Sequence, residues 1–368
     1  MRSRLSVVAL VLAITACSGG AGETTTTTTT TPTTTTVPPT TTTEAPTTTV
    51  DDRPRSPING LPVDDPELLD RRVLAVKIDN HWDARPQSGI LEAEAVFEIR
   101  VEGGLTRFMA VFHSTDSEAL GPIRSGRPSD AALIRPFEAT LAISGGQPWV
   151  REGISALGVP YLSDTRPGMF RISERAAPHN LYGNTIELRQ VADDREIPDT
   201  PPPTSLWEFG EMPEDAPEAT DITFTFSSTT TTGWTWNGTT YERSIDGAES
   251  TWLNPEGEVE RITADVLVAI VGEQYTASPP AGSRGSAVPA TSTIGSGDFY
   301  VFADGKVIEG TWAREDASEP FTLTTADGED LVVPPGFAWI SVVPDEGAVE
   351  WTGAAGTTTD TTTDSTGG

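Results

Sequence analysis

Apolar positions in the first half of the chain follow two periods, one typical of buried strands and one typical of helices. The runs RVLAVKIDN, AVFEIRV and TRFMAVFHS predict strands, and ATLAISGG predicts a fourth that ends in a glycine pair. The runs SGILEAEA, SDAALIRPFEA, PWVREGISALG and TIELRQVAD predict helices, the second of them capped by Ser129. Strands that alternate with helices predict an α/β (α+β) sandwich.

The pattern changes in the second half, where short apolar runs are separated by tight-turn dipeptides. The dipeptides are Asn237-Gly238, Asp304-Gly305 and Asp327-Gly328. This pattern predicts a small all-β domain. Its aromatic residues have two interpretations, a hydrophobic core or a face that binds sugars; they are Trp234, Trp236, Tyr241, Trp252, Trp312 and Trp339.

A proline-rich, acidic segment separates the two patterns. Residues 198–221 contain no periodic apolar positions, and they predict a linker. The part of the chain that can fold runs from about residue 56 to residue 351, which is long for one hydrophobic core. We therefore predict an α/β domain at residues 56–197 and an all-β domain at residues 222–351.

The N-terminus has the pattern of an export signal. Two arginines precede an apolar run of about ten residues, which is too short to span a bilayer. The run ends in Ile-Thr-Ala-Cys, which resembles a bacterial lipobox, and Cys17 is the single cysteine of the chain. Residues 1–17 are therefore predicted to be a lipoprotein signal peptide, with lipidated Cys17 anchoring an exported protein to the outer face of the cell membrane. A plain export signal with an incidental cysteine is the alternative.

Polar, low-complexity sequence flanks the foldable part. Residues 18–55 are dominated by threonine and proline, and residues 352–368 by threonine and glycine. Neither segment has enough apolar residues for a core, so we predict a disordered tether and a disordered tail. The single cysteine excludes a disulfide within the chain and a cysteine-ligated metal site.

The formal net charge of the chain is −30, and the two predicted domains share it unequally. Residues 71–195 hold 15 Lys+Arg against 16 Asp+Glu, whereas residues 196–368 hold 5 against 30. All three histidines also lie in the first domain. Groups that bind anions or titrate near neutral pH are therefore concentrated there, and the overall charge argues against a nucleic-acid partner.

Polar clusters follow several predicted strands of the first domain, where α/β proteins place their ligands. The stretch from Arg124 to Arg127 offers two guanidinium groups and backbone N–H donors, which suit a phosphate or a carboxylate. Arg107 lies in the preceding strand, and its alternative role is an ion pair with Glu98 or Glu102. Gln87, His179 and Asn180 lie in other loops that we expect to be close by.

Catalytic and metal-binding residues are marked less clearly by the sequence. His179, in the loop APHN, is a candidate general base, and a hydrogen-bonding strut is its alternative role. Asp79, Glu94 and Glu98 are candidates for binding a divalent cation. No Ser–His–Asp, HExxH, Walker or Rossmann pattern is present in the sequence.

These motifs taken together resemble the YerB-like family of bacterial lipoproteins, which carries the domain of unknown function 3048. The resemblance rests in the first domain on AVKIDN, ARPQSG, EGGLTRFMAVF, GPIRSGRP and APHNLY, and in the second on FADGKVIEGTW and VPPGFAWISVV. It implies an envelope lipoprotein with two domains, and it brings no established activity.

The first domain has a weaker likeness to the LytR–CpsA–Psr family, which moves glycopolymers from polyprenyl pyrophosphate lipids to peptidoglycan. The likeness implies that Arg124 holds phosphate, that Arg171 or Arg175 adds contacts, and that Glu94 stands near Mg²⁺. This chain has Arg124-Ser125 where that family has Arg-Asp, and Glu94 where that family has Asp. Mg²⁺ is the one cofactor that the likeness suggests, and the residues themselves establish none.

The favoured hypothesis is an envelope lipoprotein whose arginine-rich domain binds a phosphorylated or acidic cell-wall ligand. The alternatives are a phosphotransferase acting on lipid-linked pyrophosphate glycopolymers and a non-enzymatic scaffold that binds an envelope protein partner. Acid, arginine and histidine together in one cleft would favour the enzyme. Arginines without nearby carboxylates would favour binding, and arginines spread over the surface would favour the scaffold.

Overall fold

The computed structural model describes residues 51–344 and 349–353, which belong to one compact unit that begins at Asp51. The predictions for the signal peptide, Cys17, the Thr-rich tether up to residue 50 and the tail after residue 353 lie outside the described residues. Within the described part of the chain, no helix is both long enough and apolar enough to cross a membrane.

Strands dominate the described residues, and helices are few and short. In chain order the strands are β1 Leu74–Asp79, β2 Gln87–Ser88, β3 Ala95–Arg100, β4 Thr106–Phe112, β5 Thr140–Ile143, β6 Tyr161–Ser163, β7 Met169–Arg171, β8 Leu181–Gly183, β9 Asp221–Ser227, β10 Thr230–Trp236, β11 Tyr241–Ile245, β12 Ala248–Glu249, β13 Thr251–Leu253, β14 Val259–Arg261, β15 Thr263–Ala264, β16 Val266–Gly272, β17 Gln274–Ala277, β18 Val288–Thr291, β19 Gly295–Ala303, β20 Lys306–Arg314, β21 Thr322–Thr325, β22 Ala338–Pro344 and β23 Val349–Thr352. The α-helices are α1 Pro128–Ile134, α2 Pro148–Ala156 and α3 Thr185–Asp194, and 3₁₀ turns occur at Pro66–Leu69, Trp82–Ala84, Ile90–Glu92, Glu102–Gly104 and Arg135–Phe137.

The largest sheet contains strands from both halves of the chain. Its ten strands have the order β21-β20-β19-β16-β22-β3-β4-β1-β5-β6. The two halves meet where β22 pairs in parallel with β3, with Ala338 opposite Ala95 and Val342 opposite Ile99. One hydrogen-bonded sheet therefore runs through both of the segments that the sequence predicts to be separate domains.

Both faces of this sheet are covered, which explains why its central strands are apolar at successive positions. Alternate residues of β1 belong to two hydrophobic clusters. Ala75 belongs to the cluster that includes residues of α1 and α2, and Val76 belongs to the cluster that includes residues of α3 and of a second sheet. The second sheet has the order β12-β11-β10-β9-β23, with β15 beside β11. The predicted sandwich with an all-β second part is thus confirmed.

The aromatic residues of the second half form core. Trp234, Tyr241, Trp252, Trp312 and Trp339 are all buried, so the interpretation as a sugar-binding face is wrong for them. The rings of Trp234 and Trp339 meet edge to face, with centroids 5.4 Å apart. Trp312 packs in the cluster on the helix-covered face of the ten-stranded sheet, and the other four belong to the cluster shared with the second sheet. Burial of these large side chains supplies much of the apolar surface that stabilises the sandwich.

The segment predicted as a linker contains no strand or helix before β9 begins at Asp221, within the residues that the structure describes. It nevertheless contributes to the core. Leu206 and Trp207 are buried, and the Trp207 ring packs edge to face on Phe299 with centroids 5.9 Å apart. The segment therefore packs against the strands of the second half.

Two local predictions are wrong. The run SGILEAEA forms only the 3₁₀ turn Ile90–Glu92, because β3 begins at Ala95 and leaves no room for a helix. Ser129 is not the N-cap of α1: Arg127 is, and its backbone N–H donates to the Asp130 carboxylate at 2.7 Å. The Ser129 hydroxyl instead accepts a hydrogen bond from the backbone N–H of Thr291 in β18.

Candidate functional site

The loop after β4 lies across the carboxyl end of β1. Asp79 N donates to Pro122 O at 2.8 Å, and Arg124 N donates to Lys77 O at 2.8 Å. On the other side, Ser144 N donates to Arg124 O at 3.0 Å, just after β5. These backbone bonds hold the loop like an additional short strand. The loop lies at the carboxyl ends of β1 and β5, where α/β proteins bind ligands.

The three candidate arginines come together at the carboxyl end of β1. In the register of β1 and β4, Arg107 is opposite Asp79, and the loop brings Arg124 and Arg127 to the same place. They surround a cavity of about 220 Å³. Its lining residues are Asp79, His81, Val101, Glu102, Leu105, Thr106, Arg107, Arg124 and Arg127.

The arginines differ in how far carboxylates neutralise them. Arg127 Nε donates to Glu102 Oε2 at 2.8 Å. Arg124 Nε lies 3.2 Å from Asp79 Oδ2. Glu102 therefore pairs with Arg127, not with Arg107 as the sequence alternative had it, and the pKa of Glu102 is lowered because the Arg127 hydrogen bond and charge outweigh the opposing effect of burial.

Arg107 has no carboxylate within 4 Å among the described residues. Its Nη1 donates to the backbone carbonyl of Ser125 at 3.0 Å. Burial is the main cause that lowers the pKa of Arg107 to about 10, and the positive charge of Arg127 adds to it. The guanidinium is still protonated at neutral pH, so the cavity contains one partly buried positive charge without a matching negative one.

A buried ion pair holds in place the segment from Arg124 to Arg127, which we call the arginine loop. Lys77 Nζ donates to Asp130 Oδ1 at 2.7 Å, and both side chains are fully buried. Burial lowers the pKa of Lys77, and the Asp130 charge opposes this effect. Because the second oxygen of Asp130 accepts the Arg127 N–H, the pair fixes the backbone that carries Arg127. Sequence reasoning missed this pair, although one of the two lysines of the chain lies inside an apolar strand, which was a usable signal.

His179 contacts the cavity through Asp79. His179 Nδ1 lies 2.7 Å from Asp79 Oδ2, and Asp79 is buried. The His179 ring stacks on the ring of His81, with centroids 4.7 Å apart, and His81 lines the cavity. The predicted proximity of His179 to the arginines is therefore present in the fold, with one carboxylate between them. The part played by His81 was missed, since nothing in the local sequence marks it.

The remaining ligand-binding candidates do not line the cavity. Gln87 is buried, and its Nε2 donates at 3.0 Å to the backbone carbonyl of Asp79, the last residue of β1. Arg171, the last residue of β7, donates from Nη1 to Asn180 Oδ1 at 2.8 Å in a more exposed place. Arg175 donates to the backbone carbonyls of Pro86 and Asp83, at 2.5 and 3.1 Å. The observed contacts of these side chains hold loops in place.

The three candidate cation ligands are not brought together. Glu94 accepts hydrogen bonds from Ser56 Oγ and from His113 N, before the start of β3. Glu98 forms a buried ion pair with Arg243 at 2.8 Å. Of the three carboxylates, Asp79 lines the arginine cavity and the other two do not. A magnesium site made of Asp79, Glu94 and Glu98 therefore has no geometric support among the described residues.

Comparison with known sequences identifies the family to which this chain belongs. Residues 58–198 match the family described as "Protein of unknown function (DUF3048) N-terminal domain", and residues 221–340 match its C-terminal domain. The matches cover more than half of the chain, so the chain belongs to this family and the predicted resemblance is confirmed.

One relative in this family is the YerB protein of Bacillus subtilis (strain 168), which carries the provisional name of a lipoprotein. It is 26% identical over 299 residues, which are 79% of this chain and 86% of the relative. A crystal structure of the Bacillus subtilis YerB protein superposes with a TM-score of 0.68 at 23% identity, covering 81% of this chain and 99% of that one. The two proteins therefore share the fold along nearly their whole described length.

Proposed function

We propose that this chain is an exported lipoprotein of the cell envelope whose arginine cavity binds a phosphorylated or acidic ligand. Lipidated Cys17 would anchor it to the outer face of the membrane, and the Thr-rich tether would carry the folded part into the cell wall. The provisional name of the Bacillus subtilis relative supports the anchor. The support for the binding function comes from the cavity.

A single observation carries the binding proposal: Arg107 is a partly buried guanidinium that has no carboxylate partner among the described residues. Leaving a charge uncompensated where water reaches it poorly is unfavourable, so a bound anion would stabilise the folded protein. Arg124 and Arg127 face the same cavity, although Asp79 and Glu102 take up part of their charge. An anion that reaches Arg107 therefore meets a net positive surface inside an acidic protein.

The size of the cavity restricts the ligand. A volume of about 220 Å³ is below the ~300–1,000 Å³ of sites that enclose a drug-sized molecule. The cavity accommodates a small charged group, such as a phosphate, a pyrophosphate or a sugar carboxylate. A glycopolymer or a polyprenyl chain that carries this group would remain outside.

The proposal is tested by thermal unfolding and calorimetry of the chain from residue 51 onward, with inorganic pyrophosphate, a short-chain polyprenyl pyrophosphate and galacturonate, each with and without Mg²⁺. A ligand present at ~100 times its dissociation constant adds ~2.7 kcal/mol of stability. We expect Arg107→Gln to remove the shift. Arg284→Gln is the matched control, because Arg284 is exposed and lies outside the cavity. Absence of any shift, or an equal shift in both variants, would leave the scaffold hypothesis ahead.

The anchor is tested separately, by growing cells with a labelled fatty acid. The wild-type chain is expected to incorporate the label and to remain with the membrane fraction. Cys17→Ser should abolish incorporation, whereas a plain export signal would leave both proteins unlabelled.

A second candidate, a phosphotransferase, is favoured by the contact between Asp79 and His179. A carboxylate that orients a histidine is a common general-base arrangement. His179 does not itself line the cavity, so this candidate ranks below anion binding. Release of phosphate or transfer of a labelled glycan from a lipid-linked donor, abolished by His179→Gln with ligand affinity retained, would establish it.

A further inference from the structure

A cluster of His81, Asp83 and His179 lies beside the arginine cavity, and none of the roles described so far uses it as a unit. One potential metal-ligand atom from each residue lies within 4.8 Å of the other two. His81 Nδ1 is 3.5 Å from Asp83 Oδ2, and the rings of His81 and His179 stack. Ligand atoms around a tetrahedral Zn²⁺ lie about 3.4 Å apart, so shifts of roughly 1–1.5 Å would enclose an ion.

We propose that His81, Asp83 and His179 bind a divalent transition-metal ion of the Zn²⁺ class. Two imidazoles and one carboxylate are a ligand set that suits zinc and its neighbours, whereas Mg²⁺ and Ca²⁺ prefer oxygen ligands. Three protein ligands leave a coordination position open, as in catalytic zinc sites. The site differs from the magnesium site predicted from the sequence in both its residues and its chemistry.

Asp79 supplies an independent argument, because it orients the His179 ring. The Asp79 carboxylate accepts only, so the hydrogen between Asp79 Oδ2 and His179 Nδ1, 2.7 Å apart, belongs to the imidazole. His179 Nε2 then carries the lone pair that a metal ion requires. The carboxylate is itself held: His81 N donates to Asp79 Oδ1 at 3.2 Å, and Arg124 Nε lies 3.2 Å from Oδ2.

The loop that carries the other two ligands is anchored. Arg175 donates to the backbone carbonyls of Asp83 and Pro86. The lone pair of His81 Nδ1 accepts one long hydrogen bond, 3.2 Å from Asp83 N, which a metal–nitrogen bond would replace. The Asp83 side chain is 63% exposed and free to turn toward the ion.

The metal-ligand cluster lies directly beside the arginine cavity. His81 belongs both to the cluster and to the lining of the arginine cavity, so an ion bound by the cluster would lie beside that cavity. The carboxylates of Asp79, Asp83 and Glu102 offset the added positive charge. Metal binding does not depend on the proposed anion, and it is tested with the metal alone.

The chain has three histidines, so nuclear magnetic resonance can follow each imidazole separately. The chain from residue 51 onward is labelled with ¹⁵N-histidine, stripped with chelator and titrated with Zn²⁺. We expect the imidazole signals of His81 and His179 to change with one equivalent of Zn²⁺. His113 is the internal control, because it is fully buried elsewhere and its Nε2 contacts Arg71 O at 3.0 Å. The same concentration of Mg²⁺ should change none of the three.

Matched variants separate this site from weak binding to the acidic surface. Asp83→Asn should raise the dissociation constant for Zn²⁺ at least ~10-fold, and His81→Gln should remove stoichiometric binding. Asp215→Asn makes the same change of charge at an exposed position in the 198–221 segment and should leave the constant unchanged. An unchanged His113 signal reports that each variant is folded. Zn²⁺ affinity that is equal in all three variants, or histidine signals that do not move at one equivalent, would overturn the proposal.

Discussion

Glu98 in β3 and Arg243 in β11 form an ion pair with N–O distances of 2.8 and 2.9 Å, although 145 residues separate them in the chain. Their side chains are 0% and 1% exposed. Trp339 Nε1 donates to Glu98 Oε2 at 2.9 Å, and the Arg243 guanidinium lies 5.0 Å from the centre of the Trp339 ring. The pair therefore joins the ten-stranded sheet to the second sheet, in a place where water cannot replace either partner.

Glu98→Gln is expected to lower the free energy of unfolding by about 3–5 kcal/mol, because it leaves the Arg243 charge buried without a partner. Urea denaturation followed by far-UV circular dichroism measures the change. Glu249→Gln is the matched control: Glu249 pairs with Arg261 at the surface, where ion pairs contribute about 0–1 kcal/mol. Equal effects of the two substitutions would contradict the role assigned to burial.

A fragment of residues 51–197 is expected not to fold cooperatively when it is expressed alone. Removing the rest of the chain takes β22 from the edge of β3 and takes both Arg243 and Trp339 from Glu98. An exposed apolar strand edge also promotes aggregation. Coexpression with residues 198–353 should restore a soluble complex. A cooperative urea transition of the isolated fragment would show that the first predicted domain is independent.

Arg107→Gln should weaken anion binding without lowering stability. The substitution removes a partly buried charge that has no carboxylate partner in the described residues, so the melting temperature is expected to stay the same or to rise. Thermal unfolding without ligand measures this. A large fall in the melting temperature would indicate that Arg107 has a structural role.

Lys77→Met should have the opposite effect on stability. It leaves the fully buried Asp130 carboxylate without its cation, which is expected to cost about 3–5 kcal/mol. Because Asp130 also holds the Arg127 backbone, anion affinity should fall as well. The double variant Lys77→Met/Asp130→Leu should recover part of the stability but not the affinity, and calorimetry with pyrophosphate distinguishes the two quantities.

His113 should make stability depend on pH below about 6.5. Burial is the main cause that lowers the pKa of His113 from 6.5, and the nearby Glu94 opposes it. The unfolded chain therefore binds a proton more readily than the folded one as the pH falls through 6.5, and stability decreases by up to ~1.4 kcal/mol per pH unit from this group. Above that pH the effect is absent.

The pH prediction is checked by urea unfolding at pH 5.0 and pH 7.5. Carboxylates also titrate in this range, so the informative quantity is the difference between wild type and His113→Gln. The variant should show the smaller loss at pH 5.0, and parallel losses in the two proteins would disprove the assignment.

Several features followed from local sequence. Asp304 and Gly305 both have positive φ angles and place Ala303 opposite Lys306, as expected for a two-residue hairpin turn. Arg107, Arg124 and Arg127 also line one cavity, as the sequence led us to expect: β4 runs antiparallel to β1 and begins beside its carboxyl end, and the loop after β4 returns to that end. In each case the relevant residues are close in sequence or follow a general rule of sheet geometry.

Other features depend on contacts between distant residues and left no local signal. Strand β22 looks like any buried strand, and nothing in its sequence indicates that it pairs with β3, more than 200 residues earlier. The aromatic residues of the second half have the same local pattern whether they face a sugar or a core, and only the packing on the two faces of the large sheet buried them.

The amino-acid sequence by itself determined β1, β3, β4 and β5, the helices α2 and α3, the unequal distribution of charge and the family, because these depend on periodicity, composition and motif order. The tertiary structure alone decided that the two halves share one sheet, that Glu98 pairs with Arg243, and that His81 and Asp83 lie beside His179. The physical reason is that burial and charge pairing act between side chains that are close in space, whatever their separation in the chain.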